Sequence, residues 1–154
     1  MKRRALFAPA ALLVGALAAG TPTRAPAQVP DTLVPVTGIV TGQPESVSFS
    51  GQARISSRLV PDPDFGNPTF LFTIDLTSLS GVGSSTKAQY VVSTREVVQR
   101  RLAGSQAIVI TFPFTRSGNT TLPPRSAVVS LDFNVDVNTG AIRQADAEVS
   151  SPPL

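Results

Sequence analysis

The chain has 154 residues, with 13 Lys and Arg, 10 Asp and Glu and no His, giving a formal charge of +3. It contains no Cys and no Trp, and a single Met and a single Tyr. Without His or Cys there is no Ser-His-Asp triad, no Cys-His dyad, no thiolate chemistry and no imidazole- or thiolate-ligated zinc or haem, while the length fits one domain with a core of its own.

The positive charge is concentrated at the start. Lys2, Arg3 and Arg4 precede an apolar run over residues 5–19, and Ala25, Pro26 and Ala27 form a small-residue cleavage motif before Gln28. A positive region, a short apolar region and an A-x-A site read as a secretory signal peptide over residues 1–27. The run is short for a membrane span and is interrupted by Pro9 and Gly15. Ala18, Ala19 and Gly20 offer an alternative cleavage site. Cleavage after Ala27 takes away four basic residues (Lys2, Arg3, Arg4 and Arg24) and no acidic ones, moving the charge from +3 to −1. The expected product is therefore a near-neutral, disulfide-free domain, secreted or periplasmic, and the pattern fits bacterial export.

Residues 28–44 read as a lead-in with an edge strand over 33–41, because Pro35 removes a ladder donor. Residues 46–60 alternate, with Val47, Phe49, Ala53, Ile55 and Leu59 on one parity and Ser, Gln and Arg on the other, which is the period of a half-buried strand. Gly51 marks a bulge or bend within it. Residues 61–68 are a Pro-rich loop. Alternation resumes over 69–77, with Phe70, Phe72, Ile74 and Leu76 inward. Residues 78–85 read as a flexible Gly-rich connection and 87–92 as a strand. Residues 95–102 fit a short capped helix or a strand, and Val97 and Val98 tilt the reading to extended structure.

Residues 106–115 form a strand with Ile108, Ile110, Phe112 and Phe114 inward, and 116–125 a loop. Residues 126–137 form the cleanest strand, with Ala127, Val129, Leu131, Phe133, Val135 and Val137 on one face. Asn138, Thr139 and Gly140 read as a three-residue hairpin loop with Gly in the left-handed conformation. Residues 141–149 look like an edge strand, followed by a tail at 151–154.

About seven to eight short strands with one-sided alternation and almost no helical signal predict an all-β fold. An immunoglobulin-like antiparallel β-sandwich over residues 45–150 is the expected architecture, with a small closed β-barrel as the alternative.

Carboxylates supply the candidate sites. Asp62 and Asp64, with Gly66 and Asn67, echo a calcium loop, in which hard oxygen ligands converge on one cation. Turn chemistry explains the same residues. Pairing Val137 with Ala141 sets a register that puts Asp132 opposite Asp146, with Glu148 diagonal and Asp136 nearby. Opposed like charges repel, so a cation or an Arg would relieve them; charged protection of an edge strand is the plainer reading. The same register turns Arg143 inward and Ile142 outward. Asp62, Asp64, Asp132, Asp146 and Glu148 are thus the metal candidates, and calcium is the cofactor such oxygen ligands would suit. Arg95, Arg100 and Arg101 form one basic cluster, and Arg54 and Arg58 lie on another outward face. One Tyr and a charge of −1 argue against nucleic-acid binding.

The expected function is a non-enzymatic exported module for interaction, assembly or envelope association. Its partner would be a protein or envelope component, met by edge strands or sheet faces, with no integral membrane segment after cleavage. The alternatives are a small-ligand or calcium-binding module using surface carboxylates, and a carboxylate-only hydrolase.

Overall fold

A computed structural model describes residues 29–62, 64, 66–118 and 121–153. The expected leader over 1–27 lies outside the described residues. The fold is all-β: β1 (Thr32–Val40), β2 (Val47–Pro61), β3 (Pro68–Asp75), β4 (Ser80–Gly83), β5 (Gln89–Val92), β6 (Arg95–Arg101), β7 (Ser105–Arg116), β8 (Arg125–Val135) and β9 (Ile142–Ser150). They form one nine-stranded mixed sheet. No helix among the described residues is long and apolar enough to cross a membrane.

The long alternation over 46–60 becomes β2, and its length organises the sheet. One edge of β2 pairs with β1, from Thr32↔Ile55 to Val40↔Val47. The other edge is shared: β4 takes Val47 to Ser50 and β3 takes Arg54 to Pro61. Gly51 sits at the break, where an added methyl group would lie 2.4 Å from the Ser78 carbonyl oxygen. The next hairpin breaks at the same level, so β5 continues beside β4 and β6 beside β3. At this line the sheet forks. β5 goes on to pair with β7 through Tyr90↔Arg116, whereas β6 pairs with β3 alone among the described residues. β7, β8 and β9 follow as antiparallel neighbours, and β9 meets β1 in a parallel contact at Thr37↔Glu148 and Gly38↔Val149.

Two expectations about edges are thereby corrected. Neither β1 nor β9 is an edge along its whole length: β1 lies between β2 and β9, and β9 between β8 and β1, although they meet only at Thr37↔Glu148 and Gly38↔Val149. Pro35 is compatible with this because it precedes the two residues that touch β9. Among the described residues β6 is unpaired on one side along its whole length, while β7 meets β5 only from Phe114 to Arg116 and β9 meets β1 only at Glu148 and Val149. The expected Gly-rich connection at 78–85 contains β4, whose inward positions are Gly81 and Gly83. A methyl group on Gly81 would lie 2.6 Å from Val47 Cγ1, so glycine is there to fit beneath a large neighbour.

The inward parities supply the core: Phe49, Phe70, Phe72, Phe112, Phe114 and Phe133, packed among Val, Ile and Leu. Phe49 of β2 meets Phe112 and Phe114 of β7 edge-to-face at 5.9 and 5.0 Å, and Phe72 of β3 meets Phe133 of β8 at 5.0 Å. Two positions expected inward are open instead. Leu59 is 39 % exposed near the end of β2, and Val137 is 41 % exposed beyond the last residue of β8.

The β8–β9 register follows the hairpin reading from Val128↔Ser150 to Asn134↔Gln144 and then slips by one residue, to Val135↔Ile142. The slip corrects the side chains on either side of it. Ile142 turns to pack against the core and Arg143 is exposed, bonded to Asp136. Gly140 adopts φ of +78°, as the hairpin requires.

Candidate functional site

The carboxylates singled out by sequence fall in two places. Asp62 organises its own turn: its Oδ1 accepts the Asp64 N–H at 2.9 Å and its carbonyl accepts the Gly66 N–H at 2.9 Å. Asp62 and Asp64 share a shallow depression with Gln99, Arg100 and Arg101. Asp132 and Asp146 are directly opposed across β8 and β9, and Glu148 is paired with Ser130, all on the outer face. Pro35 and Thr37 of β1 flank them. Asp132 lies on β8 between β7 and β9, whereas Asp146 lies on β9 ahead of its two-residue contact with β1, where a charged side chain still guards an open strand side. Among the described residues, no three acidic, His or Cys side chains gather as a set that could hold a metal ion.

The arginines are also redistributed. Arg54, Asp75 and Arg95 lie side by side on β2, β3 and β6, which places two guanidiniums around one carboxylate. Thr77 donates to Asp75 from its N–H at 2.9 Å and its hydroxyl at 2.6 Å. These bonds, with Arg95 and Arg54 beside it, lower the Asp75 pKa. Arg58 and Asp31 border the same face. The expected cluster of Arg95, Arg100 and Arg101 divides between the two faces of β6, because alternate residues of a strand point oppositely.

The most elaborately built polar site contains a residue that sequence reasoning passed over. Glu45 lies in the connection between β1 and β2, only 6 % exposed. Its Oε2 accepts the backbone N–H groups of Ser85 and Thr86 at 2.9 and 2.8 Å. Its Oε1 accepts the Thr86 hydroxyl at 2.6 Å and the Tyr90 hydroxyl at 3.1 Å. The turn after β4 supplies the first three donors and β5 the fourth. Donors satisfy the ionised form, so the Glu45 pKa falls to about 2, with the Thr86 hydroxyl as the largest cause and burial opposing it. Tyr90 moves the other way. Burial disfavours its phenolate, and its bond to Glu45 holds the proton, so its pKa rises.

Arg125 completes the arrangement. Its Nη1 donates to the Glu45 carbonyl oxygen at 2.8 Å, and its guanidinium lies 5.1 Å from the Phe114 ring centroid. Tyr90 packs edge-to-face on Phe114 at 5.7 Å. These groups floor a depression of about 370 Å³, whose walls include Pro44, Leu122 and Pro123 and whose rim includes Arg116. A carboxyl with a pKa of about 2 has no proton to give near neutral pH and is a poor acceptor of one, so Glu45 is suited to holding structure rather than to acid–base chemistry. The sequence signals for this site are the chain's only Tyr and the donor-rich Ser84, Ser85 and Thr86. Neither indicates that a Glu some 40 residues away is the acceptor.

Comparison with protein-family models, with curated proteins and with solved structures finds no match, so the site is interpreted from its own geometry.

Proposed function

We propose that this protein is an exported, non-enzymatic interaction module that binds a protein partner by accepting an extended strand at β6. The observation that carries the reading is that, among the described residues, β6 has a neighbour on one side only and bears Arg95, Arg100 and Arg101 against a single Glu96. A free strand side offers backbone donors and acceptors to another chain. Its charge selects which chain. Two copies of β6 would bring arginines together, whereas an acidic strand places opposite charges across the new ladder, each such pair contributing roughly 0.2–1 kcal/mol. Export is supported by the basic start, the apolar run over 5–19 and the A-x-A motif. We read the paired circuit as flattened into two facing layers of immunoglobulin-like size, because the Phe49–Phe112 and Phe72–Phe133 contacts join strands that do not pair.

Selection of peptides from a random library on the purified domain tests the strand-addition reading. The enriched peptides should alternate acidic and apolar residues, slow amide exchange over residues 95–101, and lose binding to an Arg95→Glu/Arg101→Glu variant. Peptides without acidic bias, or protection confined to other strands, would overturn it. N-terminal sequencing of the exported protein should begin at Gln28; a retained Met1 would overturn export by cleavage.

A further inference from the structure

We propose that the depression beside Tyr90 binds a small amphipathic anion: a carboxylate carried on a short apolar body. The reasoning begins with parity. The inward rows of three neighbouring strands are apolar along the core, and at one end of the fold they give way to Tyr90 on β5, Arg116 on β7 and Arg125 on β8. Tyr90 is cross-strand to Arg116, and Phe114 to Arg125, so all four occupy one face of the sheet. Two cations at positions that continue the core rows point to the end of the core rather than to open solvent. Their charges act on the Tyr90 hydroxyl.

Among the described residues, neither Arg116 nor Arg125 has an acidic partner within ion-pair distance. Glu45 is the nearest acid in the network, but its carboxylate oxygens are taken by Ser85, Thr86 and Tyr90, and Arg125 reaches only its carbonyl. Arg125 uses Nη1 there and keeps other guanidinium donors. The remaining wall is apolar: Pro44, Phe114, Leu122 and Pro123. Leu122 is 47 % exposed. A volume of about 370 Å³ lies within the usual range for small-molecule sites. An anion alone would leave the apolar wall wet, and an apolar molecule alone would cover two half-buried cations without supplying an opposite charge. A carboxylate with an apolar tail satisfies both.

The chain carries one Tyr and no Trp, so the fluorescence of the exported protein reports on Tyr90 alone. Titration with octanoate should give a saturable change in that signal. Arg116→Gln, at a half-exposed position that should leave the melting temperature unchanged, should weaken binding roughly ten- to a hundredfold, corresponding to one lost charge-assisted hydrogen bond. Octanoate without a saturable effect would overturn the proposal. So would octanol binding as tightly as octanoate, which would make the site simply apolar, or inorganic phosphate saturating equally well, which would make it a plain anion site.

Discussion

The Tyr90 hydroxyl donates to Glu45 Oε1 at 3.1 Å and thereby ties the β1–β2 connection to β5. The bond opposes ionisation of the phenol while favouring that of the carboxylate, so one contact moves two titrations apart. The acid side is the easier to observe. The Glu45 pKa is about 2 in the fold against an ordinary 4.5, so its stabilising effect is complete above about 4.5 and is lost as pH falls towards 2. Asp75, held by Thr77, and Asp136, held by Arg143, are lowered in the same sense. Thermal melting should be insensitive to pH near neutrality and fall steeply below about 4.5. Glu45→Gln should melt lower at neutral pH and show a shallower acid decline. An unchanged acid slope would place the sensitivity in other groups.

The alkaline side gives an independent measurement. The Tyr90 pKa is raised above 10.0, chiefly by burial and then by Glu45. The stability contributed by the neutral phenol is present below pH 10.0 and is lost as pH rises through the raised value. Because Tyr90 is the only Tyr, phenolate absorbance titrates one group. The native curve should lie to the alkaline side of the curve in denaturant, and Glu45→Gln should move it part of the way back. Coincident native and denatured curves would contradict the buried hydrogen bond.

Strand content was legible because period-two alternation depends on the residues of one strand. Val47 to Ile55, Phe70 to Leu76 and Ala127 to Val135 each carry their own face. The hairpin register of β8 and β9 was legible for the same reason, since Gly140 fixes the turn, and the slip at Val135↔Ile142 was not, since it answers to packing of Ile142 on the core. The edges were misassigned because Pro35 and a mixed-polarity β9 describe local chemistry, whereas an edge is a property of the neighbours. Glu45 was missed for that reason too. All four donors to its carboxylate come from residues 85–90, and nothing at position 45 announces them.

The parallel contact between β1 and β9 should depend on one missing methyl group. Gly38 faces Val149, and a Cβ there would lie 1.9 Å from the Val149 carbonyl oxygen. That neighbour is backbone and cannot rotate away, so Gly38→Ala must push the strands apart. The expected cost is about 1–3 kcal/mol, as for other overpacked sites. Urea unfolding measures the loss. Amide exchange should accelerate over β1 and β9 while the β7–β8 pairing keeps its protection. A variant as stable as the parent would show that the two strands do not approach so closely.

The edge-to-face pair of Phe72 and Phe133 joins β3 to β8, strands that share no ladder. Both rings are buried, so each truncation leaves a cavity. Phe72→Ala should cost about 3–5 kcal/mol in urea unfolding. Each single variant also removes the ring–ring term, which the double variant loses only once. The double variant should therefore fall short of the summed single losses by about 0.5–1.5 kcal/mol. Phe72→Leu keeps much of the volume and serves where the alanine variant is too unstable to measure. Strict additivity in that cycle would mean that the rings do not meet, and the proposed two-layer reading would lose the contact between β3 and β8 that supports it.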